Sequence, residues 1–141
     1  MISGFRDEYS FLSNFYPAEI KYNGLTYYSN ECAYQAQKTN REDIRKQFTK
    51  YNSYQAKKMG KKILLREDWN EVKDQIMFEL CLEKFKFHPN LAKKLIETGN
   101  EYIVEENTWG DKYWGVCNGE GENRLGKILM IVRSILQNKY Y

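Results

Sequence analysis

The sequence has little from which to build a metal cluster or a disulfide frame. Its three cysteines, Cys32, Cys81 and Cys117, are widely spaced with no CxxC pair, and His88 is the single histidine. An odd, scattered cysteine set argues against a disulfide scaffold or a zinc cluster, and one histidine excludes a multi-histidine metal site. A Cys–His nucleophile pair has no local signature in its favour. Two prolines and nine glycines in 141 residues are too few for a collagenous or disordered chain. The longest apolar run, 128–132, is far short of the roughly 20 residues of a membrane span. The opening MISGFRDEYS shows neither the basic nor the apolar segment of a signal peptide. A soluble, cytoplasmic protein with no membrane partner is therefore expected. Excess charge is also scarce: 22 Lys+Arg against 19 Asp+Glu leave +3. That is too little for the dominant positive field of a protein gripping long nucleic acid, while a local anion site stays open.

Aromatic residues, in contrast, are plentiful, with 12 Tyr, 7 Phe and 3 Trp making 16% of the chain. Such rings serve equally as half-buried core edge or as a cleft that stacks on planar ligands. The length and the 16.9 kDa mass fit one domain spanning residues 1–141, without a linker, repeat or low-complexity tract.

Periodicity and capping predict an α+β fold, mostly helical, with a small antiparallel sheet. Residues 18–22 and 25–29 flank Asn23-Gly24, a pair that accepts the positive φ angles of a type I′ hairpin turn. Ser29 and Asn30 are N-cap types, and a helix is expected from Asn30 to Lys38; Glu31, Gln35 and Lys38, at i, i+4 and i+7, then share a face. A second helix fits Glu42 to Phe48 and a third starts at a Ser53 cap. A fourth starts near Asp68 or Asn70, with Val72, Ile76, Leu80 beside Met77, Cys81, Phe85 as two apolar rows. Pro89 opens a fifth helix, stopped by Thr98-Gly99. Residues 102–104 read as a strand. Asn123 is positioned to cap a last helix that buries Leu125, Ile128, Leu129, Val132 and Ile135 or Leu136.

Several residues have two readings. In FLSNFYP, residues 11–17, Asn14 and Phe15 either anchor a loop or form a ligand wall. Glu31 is an ordinary first-turn acid or a carboxylate held for chemistry by the helix dipole. With Lys38 two turns away, that acid can meet a sugar while the ammonium meets a phosphate. Trp69 is a core ring or a base-stacking platform. The segment from Glu105 to Gly115 concentrates acids and rings, and two tryptophans within six positions, Trp109 and Trp114, are costly to expose. The glycine-rich stretch from Gly115 to Gly126 leads into a helix N-terminus, where amides bind anions, but it lacks the GxxxxGK[ST] and GxGxxG patterns.

Taken in order, FLSNFYP (11–17), S-x-E-x-x-Y-Q-A-x-K (29–38), R-x-D-W (66–69), KF (84–85), DxxWG (111–115) and GxNxLGxxLMxxR (121–133) resemble the NADAR family, the YbiA-like N-glycosidases. The resemblance implies a compact α+β fold that hydrolyses N-glycosidic bonds of phosphorylated or nucleotide-linked ribose without metal or cofactor. Its small-molecule substrates would be phosphoribosylamino-pyrimidine or uracil intermediates of riboflavin synthesis. The alternatives are ADP-ribosyl-guanine in modified DNA, or ADP-ribose sensed without hydrolysis. By the same resemblance Glu31 and Asp111 are the catalytic acids. Asn14, Phe15, Lys38, Trp69, Trp114, Gly115, Asn123 and Gly126 bind substrate, with Lys127 as a further phosphate contact. Members often carry His after the glutamate, where this chain has Cys32.

Overall fold

The computed structural model describes residues 1–139. In chain order its elements are β1 (Ile2–Ser3), a 3-10 turn (Asp7–Leu12), β2 (Ile20–Tyr22), β3 (Leu25–Tyr27), α1 (Asn30–Ala36), α2 (Glu42–Phe48), α3 (Ser53–Gly60), α4 (Trp69–Phe87), α5 (Pro89–Glu97), β4 (Ile103–Val104), β5 (Glu106–Asn107), β6 (Val116–Cys117) and α6 (Arg124–Lys139). The fold is α+β and mainly helical, as the patterning predicts. The chain forms two compact units, Met1–Ser13 with Pro89–Tyr141, and Asn14–His88.

The Asn14–His88 unit is built around α1. All seven residues of this helix are buried, because α2, α3, α4 and the β2–β3 hairpin pack around it. The hairpin turns at Asn23 and Gly24, whose φ angles of +49° and +83° are those that the Asn-Gly pair predicts. Asn52 caps α3 in a reciprocal capping box with Gln55, so the cap falls one residue before the expected Ser53, which is the first helical residue. Asp68 occupies the N-cap position of α4, and Ile76, Met77, Leu80, Cys81 and Phe85 point inward; Val72 is only half-buried. The helix expected to reach Lys38 ends at Ala36, where the last turn tightens: the Gln37 and Lys38 amides donate to Tyr34 and Gln35.

The other unit rests on α6, which packs against α5 and β4. Leu125, Leu129, Val132 and Leu136 form its buried row, while Ile135 is exposed. The expected antiparallel sheet is the β2–β3 hairpin alone. β1 pairs with β4, and β5 with β6, both in parallel, pairings that no local pattern announces. Asn123 does not cap α6 with its side chain. Its Oδ1 accepts from the Glu105 amide at 2.9 Å and its Nδ2 donates to the Ile103 carbonyl at 2.9 Å, so it clamps the end of β4 to the start of the helix. Its own backbone takes φ +52°, a conformation asparagine tolerates better than most residues.

Gly126 sits behind that clamp. A Cβ here would collide with the Ile103 carbonyl oxygen and with both ends of the Asn123 amide. Gly126→Ala is expected to lower unfolding free energy by about 1–3 kcal/mol, read by urea denaturation, since backbone must shift to admit the methyl. An unchanged midpoint would show that the β4–α6 junction is pliable.

Candidate functional site

Glu31 lies in the first turn of a helix that is buried on every side, and its own exposure is only 9%. The local reasons for that turn are short-range. Ser29 is extended and its side chain accepts from the Cys32 amide, while the Glu31 amide donates to the Asn14 carbonyl at 3.0 Å. The carboxylate is then oriented along the helix. Gln35, one turn on, donates its Nε2 to Glu31 Oε2 at 2.6 Å. Burial makes such a bond worth more than it would be in water.

The expected common face is present for Glu31 and Gln35; Lys38 lies past the end of α1, near enough to feel the Glu31 charge. Burial pushes the Lys38 ammonium below the usual lysine range; the Glu31 carboxylate pulls it back up, and Lys61 and Lys73 push it further down. Lys38 also lies 5.9 Å from the centre of the Tyr34 ring. Trp69 is buried and packs on that same ring, centroids 5.2 Å apart and tilted. The R-x-D-W motif explains how it arrives there. Arg66 and Asp68 form a bidentate pair at 2.6 and 3.0 Å, the Arg66 amide donates to the Lys38 carbonyl at 2.8 Å, and the next residue but two is Trp69.

Asn14 and Phe15 join this assembly through the loop before the hairpin. Asn14 Nδ2 donates to the Met77 sulfur and its Oδ1 accepts from Asn30, so its side chain fixes the loop to α1 and α4. Ser53 donates to the Phe15 carbonyl at 2.9 Å and accepts from Ser29 at 2.6 Å, tying the starts of α1 and α3 to that loop. The Phe15 ring meets Tyr54 edge-on, with centroids 5.0 Å apart. Cys32, at the position often occupied by histidine, is fully buried and points its thiol at the Tyr51 carbonyl, 3.3 Å away. It secures the entry to α3.

One residue of this unit carries chemistry that periodicity alone misses. Lys84 stands on the inward row of α4, one turn after Leu80, at 1% exposure, with its Nζ 5.7 Å from the Tyr16 ring and 5.1 Å from that of Phe85. Burial pushes its ammonium down to about 8. Loss of water around the ammonium is the cause, since burial disfavours the charged form. The signal available in the sequence was the KF pair of the family resemblance, since a lysine on an apolar row otherwise reads as a snorkelling surface residue.

The remaining expected residues lie in the unit built on α6. Asp111 Oδ1 accepts from the Tyr113 and Trp114 amides at 3.0 and 2.9 Å, and its backbone bonds Asn107 through both N–H and carbonyl. This carboxylate folds a tight turn that presents Trp114 against Tyr113, centroids 4.8 Å apart. Gly115 leaves room for Glu105 and Asn107, onto which a Cβ would project. The glycine-rich stretch is not an open anion cradle. Asn118-Gly119 makes a second two-residue turn, and the amides of Asn123, Arg124 and Leu125 donate to the carbonyls of Gly115, Tyr113 and Trp114. Contrary to expectation Trp109 is 61% exposed, while Trp114 is half-buried. A groove of about 320 Å³ in this unit, lined by Glu8, Tyr9, Phe11, Lys94, Glu97 and Thr98, includes none of the expected residues. Among the described residues no group of three His, Cys, Asp or Glu side chains is arranged to hold a metal ion, and no helix is long and apolar enough to cross a membrane.

A fold of this kind, with an oriented acid on a buried helix and the R-x-D-W loop docked at its end, belongs to a recognisable class. Residues 3–137 match the NADAR domain, and the chain is a member of the NADAR family. Among its relatives is the protein named N-glycosidase YbiA of Shigella flexneri serotype 5b, 38% identical over 134 residues, which are 92% of this chain and 83% of that one. The riboflavin biosynthesis protein VVA0006 of Vibrio vulnificus is 35% identical over 93% of this chain, which spans 36% of that longer protein. The solved NMR structure of the Escherichia coli protein YbiA superposes with a TM-score of 0.88 at 34% identity, covering 99% of this chain and 86% of that one.

Two outcomes test the geometry. Gly60 of α3 lies against the Gln35 amide, where a Cβ would overlap Gln35 Oε1. Gly60→Ala is expected to destabilise the fold by about 1–3 kcal/mol, and Gln35→Ala in the same chain to restore much of that loss; additive effects in the double-mutant cycle would uncouple the two positions. For Lys84, the folded chain releases its proton near 8 while the unfolded chain holds it to about 10.4. Stability relative to Lys84→Met should thus rise between those pH values, by on the order of 3 kcal/mol, in urea titrations at pH 7.5 and 10.5.

Proposed function

We propose that this chain is an N-glycosidase that hydrolyses the ribosyl C–N bond of phosphoribosylamino-pyrimidine or uracil compounds, the early intermediates of riboflavin synthesis. The observation that carries this reading is the Glu31–Gln35 pair with Lys38 beyond it: a buried, oriented carboxylate on α1 and, just past the end of that helix, an ammonium within its field. Breaking a ribosyl C–N bond leaves positive charge on the sugar's anomeric carbon, and a fixed carboxylate in a water-poor site stabilises that charge strongly. Glu31 fills this role and takes a proton from the water that adds to the carbon. The leaving nitrogen needs a proton in return. Lys84, poised near 8, is assigned that donation in place of Asp111, whose Oδ1 already holds the Tyr113–Trp114 turn. Lys38 is assigned the substrate phosphate, and Phe15 and Trp69 the walls of the base and sugar site. Asn14 sets the loop that carries Phe15 and bonds the Glu31 amide.

Relatives named N-glycosidase and riboflavin biosynthesis protein support the substrate class. One family match running from residue 3 to 137 supports a single functional domain. The three cysteines are free and buried, which fits a reducing cytoplasm. Trp114, Gly115, Asn123 and Gly126 are assigned to the framework of their own segment.

Replacing Glu31 by Gln keeps the shape and the Gln35 contact but removes the charge. Turnover is expected to fall at least about 1000-fold with the unfolding midpoint preserved. Mass-spectrometric detection of released base from the phosphoribosylamino-uracil compound, with ADP-ribosylated guanine DNA run in parallel, reads the outcome. Near-native turnover by the variant removes Glu31 from the mechanism, and cleavage of the DNA alone replaces the proposed substrate.

A further inference from the structure

The net charge of +3 conceals a sharp segregation. Residues 44–66 hold eight Lys and Arg and no Asp or Glu, so the remaining residues carry 14 basic against 19 acidic side chains, a balance of −5. Three of the eight are engaged: Arg66 pairs with Asp68, Arg45 donates to the Thr39 carbonyl, and the Lys57 ammonium lies 5.5 Å from the centre of the Phe15 ring. Lys46, Lys50, Lys58, Lys61 and Lys62 are exposed, and no ion pair joins them to an acid among the described residues. Self-repulsion among that many ammoniums is a cost that a partner of opposite charge would relieve.

Helical spacing sorts this segment into two faces. Ser53, Ala56 and Gly60 of α3 are buried. On the opposite side Tyr54, Lys58 and Lys61, at i, i+4 and i+7, are exposed, with Lys62 beside them. Tyr54 is 78% exposed, yet its ring is braced edge-on against Phe15. A large, fixed aromatic ring left in water and followed by ammoniums one and two turns along combines a stacking platform with a phosphate track. The row leads toward Lys38, whose ammonium feels the charge of Lys61.

We propose that the exposed face of α3, with Lys46 in the last turn of α2 and Lys50 just after it, binds single-stranded nucleic acid, its phosphates on the lysines and a base on Tyr54. This surface is separate from the Glu31 chemistry and holds whichever ribosyl compound that site cleaves. A lipid surface is disfavoured by the same face. Its helix has eight residues, the small residues point inward, and the outward row is lysine with a single ring; the exposed Leu64 and Leu65 that follow are two side chains, short of the apolar face a membrane-seated helix needs.

The test is fluorescence anisotropy of a labelled 12-nucleotide oligo(dT) with the full chain from 50 to 200 mM salt. The expected result is saturable binding whose log affinity falls with log salt at a slope of about −2 to −4, as three to five phosphate contacts to a single strand require. Lys58→Glu with Lys61→Glu and Lys62→Glu should weaken binding at least about tenfold at 50 mM and flatten that slope, with the thermal midpoint retained. Tyr54→Ala should cost about fivefold to a hundredfold while leaving the slope unchanged. Should the charge reversals disturb folding, Lys58→Gln with Lys62→Gln gives the same comparison at smaller effect. Absence of binding at 50 mM, or binding indifferent to these substitutions, overturns the proposal. Capture by phosphatidylserine vesicles without affinity for the oligonucleotide overturns it in favour of a membrane.

Discussion

Burying a polar helix is the constraint on which the Asn14–His88 unit depends. α1 carries Asn30, Glu31 and Gln35 into the interior, and each brings groups that cost free energy unless bonded. The surrounding elements meet part of that demand, and Asn30 Oδ1 and Gln35 Oε1 stay buried without a partner. Asn14 receives the Glu31 amide and the Asn30 side chain, Gln35 turns back onto Glu31, and Ser53 completes the chain of hydroxyls behind Ser29. Gly60 supplies the space that Gln35 occupies. The acid is thereby fixed by the same bonds that let the helix be buried, so orientation and stability have one origin.

The two lysines of this unit illustrate how the same burial acts on cations. Lys38 is only half-buried and keeps an opposing acid in its field, which offsets part of the cost of its charge. Lys84 is enclosed by α4 and the rings of Tyr16 and Phe85, and its proton is correspondingly loose. Depth in the fold, rather than residue type, sets how far each ammonium is pushed down.

In the unit built on α6, backbone satisfaction takes the place of side-chain chemistry. Asn123 serves β4, Asp111 serves its own turn, and Arg133 donates to Thr98 and to the Glu101 carbonyl. Short strands of two residues supply few ladder bonds, so side-chain amides and carboxylates complete what the strands leave open. Glycines at 115 and 126 are required because these side chains crowd the backbone.

Local order was legible in the residues themselves. The α2 limits, the Asn23-Gly24 turn, the Pro89 start and the shared face of Glu31 and Gln35 follow from caps, turn preferences and helical period, which act over a few positions. The ordered motifs likewise carried the family. What the residues alone left open depended on partners distant along the chain. Ile2 meets Ile103 in a parallel pair, Asn123 turns to Ile103 and Glu105 instead of its own helix, and Asp111 spends an oxygen on neighbouring amides. Val72 and Lys84 show the same division on α4: the period counted the valine among the inward residues and not the lysine, and only the packed neighbours left the valine half-buried and buried the lysine. Sequence by itself determined which groups share a face; tertiary structure decided which of those faces lose their water, because desolvation is set by everything packed around a group and not by its spacing.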